Sequence, residues 1–309
     1  MLSRRQRFLA AFLILVALSL WPVEPSAADE TVRMGLSSRI IASLTDRFAI
    51  AAPTAKDGGL VTRQTCPPLQ TEKIANTGRP MVEVVVLCNA LFDAGLAERI
   101  ELVGGFPHKR MLTEITHGSI DVSGTTVFPE VLETLATEAR PRLSKPLIRV
   151  NEFEKAIYTM AHRKDVLAVR TLDDLRQFKA VVVKYWAIDA KTLKSMGLKG
   201  VAEVSKQELY RKFLEVGRAD FAIAAFLSET HNPVFKDMVP VPGIKLALVS
   251  PRVFPVSPGR ADIQEAIDAF IDKARKTDGD GIVQAFLRAG FFHEELAQWR
   301  RVFPVDGDQ

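Results

Sequence analysis

The amino-acid sequence lacks the short motifs that identify common catalytic sites. It contains no G-x-S-x-G, no H-E-x-x-H, no Walker loop and no C-x-x-C, motifs that mark serine hydrolases, zinc peptidases, nucleotide hydrolases and thiol oxidoreductases. Its five histidines, at positions 108, 117, 162, 231 and 293, include no i, i+4 pair that would place two metal ligands on one helical face. We therefore expect no metal, no other cofactor and no catalytic residue.

Long apolar runs are also scarce, and the longest lies near the N-terminus. Phe8 to Leu20 spans 13 residues, whereas a helix that crosses a bilayer needs about 20. Arg4, Arg5 and Arg7 precede the run and Ser26-Ala27-Ala28 follows it, which is the pattern of a cleaved signal peptide. We predict a signal peptide over residues 1–28 and an exported, periplasmic mature chain. Ordinary secretion and the twin-arginine route both stay open.

Excess charge of either sign is small. The chain has a net charge of +4, and residues 1–28 carry three arginines and one glutamate, so the remaining 281 residues carry +2. A nucleic-acid-binding surface is normally far more basic than this. We expect no nucleic-acid partner.

Cysteine is limited to Cys66 and Cys88. In an oxidising compartment an even number of cysteines favours a disulfide. Cys88 ends the apolar run Val84 to Cys88, so a buried free thiol on the core face of a helix is the alternative.

The first half of the chain alternates strand and helix patterns. Val32 to Leu36 and Arg99 to Val103 have the composition of strands, Met81 to Leu96 that of a helix buried on several sides, and Lys109 to His117 that of a helix stopped by Gly118. A strand over Ile120 to Ser123 completes a β-α-β order, which predicts a parallel sheet with helices on its faces. Residues 37–79 contain one helical pattern, Arg39 to Ile50, among proline and glycine turns, and we interpret them as a surface elaboration.

The second half repeats this alternation. Thr171 with Asp174, and Ser205 with Glu208, are spaced as helix N-terminal caps. The remaining pattern predicts strands over Ala180 to Val183 and Phe221 to Phe226. Between them it predicts a helix that ends at Gly217 and has an apolar face of Leu209, Phe213 and Val216. Two closing helices are predicted through Ile263 to Ile271 and Ile282 to Leu287. Extended segments over Ile148 to Met160 and Ile244 to Val249 enclose the central block, so the chain crosses between two lobes twice.

Several short motifs occur in an order known from one family. They are Arg110 to Val122, which ends in a G-x-I-D-V pattern; Ser144-Lys145-Pro146; Thr171 to Leu175; Leu214 to Asp220, which contains G-R-A-D; and the tail from Asp278 to Trp299. Together they resemble the type 2 periplasmic solute-binding proteins, in the branch related to the amino-acid-binding proteins of ABC transporters. The resemblance covers roughly residues 80–303.

The resemblance implies an α/β fold of two lobes, each a mostly parallel sheet flanked by helices, joined by two hinge strands. Lobe 1 would be discontinuous, over residues 29–155 and 245–309, and lobe 2 would be inserted, over residues 156–244. A ligand would bind between the lobes, because loops at the carboxyl ends of parallel strands form the binding crevices of open α/β sheets. The closed monomer would then be presented to a membrane permease or sensor.

The loop of lobe 1 differs in sequence from the family at the residue that binds the carboxylate of an amino-acid ligand. In amino-acid binders this loop carries Thr-x-x-Arg, whereas Val131 stands here at the position of the arginine. Thr125 and Thr126 are candidate ligand-binding hydroxyls, or they satisfy only the turn. Arg110 is a candidate substitute for the missing arginine, or else a solvated surface residue; Lys109 and Arg142 are further substitutes of the same kind.

The lobe 2 loop departs as well. Where the family has a small anion-binding turn, this chain has Lys184, Tyr185 and Trp186, followed by Asp189 as a predicted helix cap. Tyr185 and Trp186 are candidates to stack on a ring or a cation, or they only fill the space between loop and sheet. Asp220 stands at the family position that meets a substrate amine, or it caps the turn before a strand.

Three functions remain open from sequence alone. The first is an exported protein that captures a small polar organic molecule for an ABC importer or a membrane sensor. The second is a dehydratase-like enzyme on the same fold that uses Asp220 or Glu130 as acid or base. The third is a module without a ligand that contacts only a partner protein.

Overall fold

The computed structural model describes residues 31–48, 50, 58–135, 137–226 and 235–304, so the predicted signal peptide lies outside the described residues. The strands are β1 (Thr31–Gly35), β2 (Gly58–Thr62), β3 (Arg99–Val103), β4 (Val122–Ser123), β5 (Arg142–Leu143), β6 (Glu154–Met160), β7 (Lys179–Val183), β8 (Gly200–Val204), β9 (Phe221–Ala224), β10 (Met238–Pro240), β11 (Ile244–Ala247), β12 (Pro255–Val256) and β13 (Arg300–Phe303). The helices are α1 (Ser38–Phe48), α2 (Arg79–Asp93), α3 (His108–His117), α4 (Pro129–Glu133), α5 (Lys164–Leu167), α6 (Leu172–Arg176), α7 (Ala187–Ser195), α8 (Tyr210–Glu215), α9 (Ala261–Arg275) and α10 (Gly281–Arg288). Among the described residues, no helix has both the length and the apolar character needed to span a bilayer.

Two mixed sheets organise the described residues. The first has the strand order β2-β3-β1-β4-β12-β5, and the second has the order β13-β11-β6-β9-β7-β8 with β10 paired to β6. Strands β1, β3 and β4 are parallel in the first sheet, and β7, β8 and β9 are parallel in the second. Antiparallel strands complete each sheet on one or both sides. The expected α/β alternation is therefore confirmed for the parallel part of each sheet.

The buried core of the first sheet depends on α2. Nearly every residue of this helix from Met81 to Phe92 is buried, since α1, α9 and α10 all contact it. Glycine at position 118 ends α3 in the left-handed conformation, with φ of 78°, where a side chain would be strained. The buried helix and the glycine stop were both predicted from sequence.

The prediction that residues 37–79 form a surface elaboration is wrong. Helix α1 buries Ile41, Leu44 and Phe48 in the main core, and Leu69 and Ile74 lie in the same apolar cluster. Strand β2 pairs antiparallel with β3 and extends the first sheet. Pro67, Pro68 and Gly78 suggested surface turns, but the described segments beside them contribute apolar side chains to the core. Gly58 and Gly59 lie in strand β2 and not in a turn.

A disulfide joins Cys66 to Cys88. It attaches the loop after β2 to the middle of α2, and the side-chain amide of Asn89 donates to the carbonyl oxygen of Pro67 at 2.8 Å beside it. Both cysteines belong to the apolar cluster of the first sheet. The bridge is confirmed, and the alternative of a free buried thiol is excluded.

Two extended segments connect the sheets, as the sequence predicted. Strand β6 enters the second sheet, and β11 pairs with it antiparallel through Lys155 and Leu246 on the way back. After α9 and α10, β13 returns to the second sheet and pairs parallel with β11. The chain therefore runs between the sheets three times, once more than expected.

The two predicted helix caps have different outcomes. Thr171 accepts a hydrogen bond from the backbone N–H of Asp174, and the Asp174 carboxylate accepts one from the N–H of Thr171, so this capping box is formed. The box predicted at Ser205 is not formed, because a 3-10 turn over Gln207–Leu209 precedes α8. That turn shifts the buried face of α8 to Tyr210 and Leu214, and Val216 is 58 % exposed.

We expect Thr171→Ala to lower the free energy of unfolding by about 1 kcal/mol, because the N–H of Asp174 loses its acceptor. Ser205→Ala is the matched control, and we expect it to change stability by less than about 0.5 kcal/mol. Urea unfolding of the two variants beside the parent protein measures both effects. Equal losses in the two variants would contradict the assignment of the caps.

Candidate functional site

A cavity of about 440 Å³ lies where elements of the two sheets meet. On the side of the first sheet it is lined by Arg79, His108, Val127, Phe128, Val131 and Arg252. On the side of the second sheet it is lined by Phe153, Lys155, Tyr185, Trp186, Ala187, Ile188 and Asp189. The lining combines aromatic and aliphatic surface with a few charged side chains, which is typical of small-molecule sites.

The loop after β7 supplies the aromatic wall of the cavity. The hydroxyl of Tyr210 accepts a hydrogen bond from the backbone N–H of Val183 at 3.1 Å and so fixes the end of β7. Trp186 follows and packs edge-on against Tyr210, with ring centroids 6.3 Å apart. Tyr185 is 72 % exposed at the rim, and the ammonium of Lys184 lies 4.7 Å from its ring centroid. This loop stands at the carboxyl end of a parallel strand, where open α/β sheets bind ligands.

A buried ion pair forms the floor on the same side. Lys155 Nζ donates to both carboxylate oxygens of Asp189, at 2.7 and 2.6 Å, and both residues are at least 94 % buried. The ammonium also lies 5.4 Å from the ring centroids of Phe153 and Trp186. Asp189 was predicted to cap α7. That prediction is wrong, because α7 starts after Trp186 without a side-chain cap and Asp189 instead pairs with Lys155.

Arg252 is the principal cation on the side of the first sheet. Its backbone N–H donates to the carbonyl of Ile148 at 2.8 Å, which fixes the segment between β11 and β12. Its Nε donates to Thr126 Oγ1 at 2.9 Å, its Nη2 donates to the Thr126 carbonyl, and its guanidinium carbon lies 4.5 Å from the ring centroid of Phe128. Burial, followed by the charge of Arg79, lowers the pKa of Arg252 to about 9. The group therefore stays charged at neutral pH.

Behind Arg252 lies a network of buried polar groups on α2. Glu83 is fully buried, and its carboxylate oxygens accept from Arg79 Nη1 at 2.5 Å and from the hydroxyl of Thr126. The same Thr126 hydroxyl accepts a hydrogen bond from Arg252. Arg252 is therefore connected to Arg79 through Thr126 and the carboxylate of Glu83. Both charged neighbours of Glu83 line the cavity, while Glu83 itself does not.

His108 lines the cavity from the first turn of α3. His108 is exposed by accessible surface, but desolvation by the surrounding protein, and then the positive charges of Arg252 and Arg79, lower the pKa of its imidazole below the ordinary 6.5. A lowered pKa keeps the ring neutral at pH 7. The imidazole can then donate one hydrogen bond and accept another.

Two of the six predicted ligand-binding residues, Tyr185 and Trp186, line the cavity. Thr126 is 1 % exposed, lies behind the lining and uses its hydroxyl to hold Glu83 and Arg252. Thr125 is half-buried in the adjacent turn, where its N–H donates to the hydroxyl of Ser123.

The structure does not bring Asp220 or Arg110 to the cavity. Asp220 accepts from the backbone N–H of Lys179 and from Arg163, at 2.8 Å each. Lys179 starts β7, so Asp220 lies at the amino end of the sheet, whereas the aromatic loop lies at the carboxyl end. Arg110 is 65 % exposed and pairs with Glu114 on its own helix.

The other substitutes for the missing family arginine also lie outside the cavity lining. Arg142 donates to the carbonyl of Pro258 and to the side chain of Gln264 on the surface, and Lys109 is exposed. Arg252 and Arg79 supply the cations near Val131 instead. Neither arginine was predicted from the sequence. Arg252 lies 121 positions after Val131 and Arg79 lies 52 positions before it, so no local spacing connects them to this loop.

Contacts across the cavity mouth join the two sides. Helix α4 packs against α7, and Lys191 Nζ lies 3.5 Å from Glu130 Oε1. The other oxygen of Glu130 accepts from the hydroxyl of Ser250 at 2.7 Å. Glu130 is therefore engaged in contacts between elements and is not part of the cavity lining.

The chain has the two-lobed fold of type 2 periplasmic binding proteins. It is similar to the periplasmic VFT2 domain of BvgS from Bordetella pertussis, with 14 % identity and a TM-score of 0.50 over 89 % of this chain and 95 % of that one. It is also similar to YCKB from Bacillus subtilis, with 17 % identity and a TM-score of 0.47 over 90 % of this chain and 94 % of that one. A further similar structure is an ancestral arginine-binding protein bound to arginine, with 16 % identity and a TM-score of 0.45 over 85 % of this chain and 99 % of that one. No protein-family profile and no curated protein sequence matches the chain.

Proposed function

We propose that this chain is an exported solute-binding protein that captures a small polar organic molecule between its two lobes. The observation that carries the proposal is the composition of the cavity, whose walls come from both sheets. Arg252 stands on one wall, held by Thr126, and Trp186 stands on the other, packed edge-on against Tyr210. A molecule in this space touches both sides, so its binding favours the state in which the sides are close.

Within this proposal, lobe 1 comprises residues 29–155 and 245–309, with lobe 2 inserted over residues 156–244. Strands β6 and β11, which pair antiparallel, act as the hinge. The C-terminal strand β13 belongs to lobe 1 by this division but pairs in the sheet of lobe 2, so it adds a third strand beside the hinge. The location is periplasmic, and the signal peptide is residues 1–28.

The proposal includes a membrane partner, either an ABC permease or a sensor, that recognises the closed monomer. The pair of Glu130 and Lys191 stabilises closure only modestly, because Lys191 is 61 % exposed. Exposed pairs of this kind contribute about 0–1 kcal/mol. This pair alone therefore does not hold the lobes closed.

Catalysis is not part of the proposal. Asp220, one of the two carboxylates considered as acid or base, holds Arg163 and the start of β7. The other, Glu130, holds Ser250 and Lys191. No observation at the cavity favours an enzyme over a receptor.

We expect the protein purified from the periplasm to carry its solute, which native mass spectrometry detects as an added mass. After unfolding, dialysis and refolding, returning the released solute should lower the radius of gyration in small-angle scattering and raise the thermal midpoint. Absence of both responses, to the released fraction and to a broad metabolite library, would overturn the proposal.

Tryptophan fluorescence localises the binding. The mature chain has tryptophans at 186, in the cavity lining, and 299, outside it. We expect the solute-dependent change in emission to be lost in Trp186→Phe and kept in Trp299→Phe. If the change in emission is instead lost in Trp299→Phe and kept in Trp186→Phe, the ligand does not bind in this cavity.

A further inference from the structure

We infer that the ligand is a small monocarboxylate with an apolar or aromatic body and no ammonium group. The inference rests on the proposed function above and concerns the chemistry of the same cavity. Three features carry it: the charge balance of the ionised groups, the occupation of the carboxylates, and the unpaired donor nitrogens of Arg252 and Arg79.

The ionised groups at the cavity carry one net positive charge. Its lining contains the three cations Arg79, Lys155 and Arg252, and the anion Asp189. Glu83 lies directly behind Arg79 and supplies a second negative charge, while His108 is neutral. A ligand with one negative charge neutralises this net positive charge. A zwitterion leaves the cavity with a net charge of +1, and a dianion changes it to −1.

An ammonium group finds no free carboxylate among the described residues that line the cavity. Both oxygens of Asp189 already accept from Lys155, and Glu83 is fully buried behind Arg79. An ammonium placed near Asp189 would also stand near the charge of Lys155. This arrangement selects against amines through repulsion as well as through the absence of a partner.

A carboxylate, by contrast, meets donors that are already positioned. Thr126 holds the Nε and Nη2 of Arg252, so the orientation of the guanidinium is fixed. Among the hydrogen bonds of the described residues, Arg252 uses its Nε and Nη2 and Arg79 uses its Nη1, which leaves Arg252 Nη1 and Arg79 Nη2 without a partner there. Charge-assisted hydrogen bonds from such groups are about twice as strong as neutral ones, and their fixed geometry reduces the entropy lost on binding.

The remaining wall of the cavity suits an apolar body. Phe128, Phe153 and Trp186 contribute ring surface, and Val127, Val131 and Ile188 contribute aliphatic surface. Planar groups gain favourable contacts when they stack on such rings. The volume of about 440 Å³ fits a molecule of metabolite size.

The test uses pairs of probes that differ only in the group at Cα: each common α-amino acid and the 2-oxo acid with the same side chain, for example L-phenylalanine and phenylpyruvate. Isothermal titration of refolded, ligand-free protein measures both members of every pair. We expect the 2-oxo acid to bind at least 100-fold more tightly wherever either member binds. Equal or tighter binding of the amino acid in any such pair would overturn the inference.

The solute recovered from the native protein separates the two proposals. If it carries a single carboxylate and no ammonium, the inference is supported even when no probe pair binds. If it carries an ammonium, two or more carboxylates, or no carboxylate, the inference fails while the proposed function stands. If no small molecule binds at all, both fail.

Variants test the two groups that set the selectivity. Lys155→Met frees the carboxylate of Asp189, so we expect affinity for amino acids to rise and affinity for 2-oxo acids to fall, each at least tenfold. The matched control is Lys194→Met, which removes a lysine from an exposed pair with Glu203 and should leave both affinities unchanged. An unchanged preference in folded Lys155→Met protein would contradict the inference.

A second variant covers the case in which Lys155→Met does not fold. Arg252→Lys keeps the positive charge but loses the fixed guanidinium geometry. We expect it to weaken binding of 2-oxo acids at least tenfold, while Arg142→Lys, at the exposed position of strand β5, has no effect. Equal affinities of the two variants would exclude Arg252 as the carboxylate donor.

Discussion

Replacing Glu83 with glutamine is expected to lower the free energy of unfolding by about 3–5 kcal/mol. Glutamine keeps the volume of the side chain, so no cavity is formed, but it removes the negative charge between Arg79 and Arg252. Glu83 has no exposed surface, so water does not compensate for the loss. The buried guanidinium of Arg252 and the partly buried one of Arg79 are then left without their shared anion, which is the costly way to disrupt a buried pair.

Urea unfolding measures this loss, and Asp93→Asn provides the matched control on the same helix. Asp93 pairs with Arg63 at 2.7 Å, but the two side chains are 41 % and 54 % exposed. Such a pair contributes about 0–1 kcal/mol. The double variant Arg79→Gln/Glu83→Gln should recover part of the stability, because it removes one of the two uncompensated cations. A loss in Glu83→Gln no larger than that in Asp93→Asn would show that the network does not stabilise the fold.

The second large effect is expected from removing the disulfide. Cys66 and Cys88 are separated by 22 positions, and closing a loop of this length in the unfolded chain contributes about 3 kcal/mol to stability. The bridge also attaches the loop after β2 to α2. We expect Cys66→Ala/Cys88→Ala to lose about 3 kcal/mol in urea unfolding, with little change in fold by circular dichroism.

The single variants make this experiment specific. Each one breaks the same bridge, so Cys66→Ala, Cys88→Ala and the double variant should lose nearly the same free energy of unfolding. If the two thiols were instead buried separately, the two losses would add. A double variant about twice as destabilised as either single variant would therefore contradict a role for the bridge itself.

The fold was largely predictable because its signals are local. The apolar positions of α2, the glycine stop at Gly118 and the cap at Thr171 are each determined by residues a few positions apart. The failures came where local signals conflict with packing. Ser205 has the spacing of a cap, yet the chain forms a 3-10 turn there and buries Tyr210 instead.

The candidate site was only partly predictable, since its charged residues are paired with partners far away in the sequence. The loop residues Tyr185 and Trp186 follow a recognisable strand, and their position could be inferred from it. Lys155 and Asp189 are 34 positions apart, and Arg252 meets Thr126 at a separation of 126. No spacing rule connects such residues, so only the folded chain shows that Asp189 is already neutralised.

The third passage of the chain between the sheets has a mechanical consequence. With β13 parallel to β11, and β11 antiparallel to β6, three adjacent strands are joined by backbone hydrogen bonds at the proposed hinge. Sliding or twisting one lobe against the other requires these bonds to shear, whereas bending across the strands leaves them intact. Within the proposed receptor, such a hinge would favour bending of the lobes over sliding or twisting.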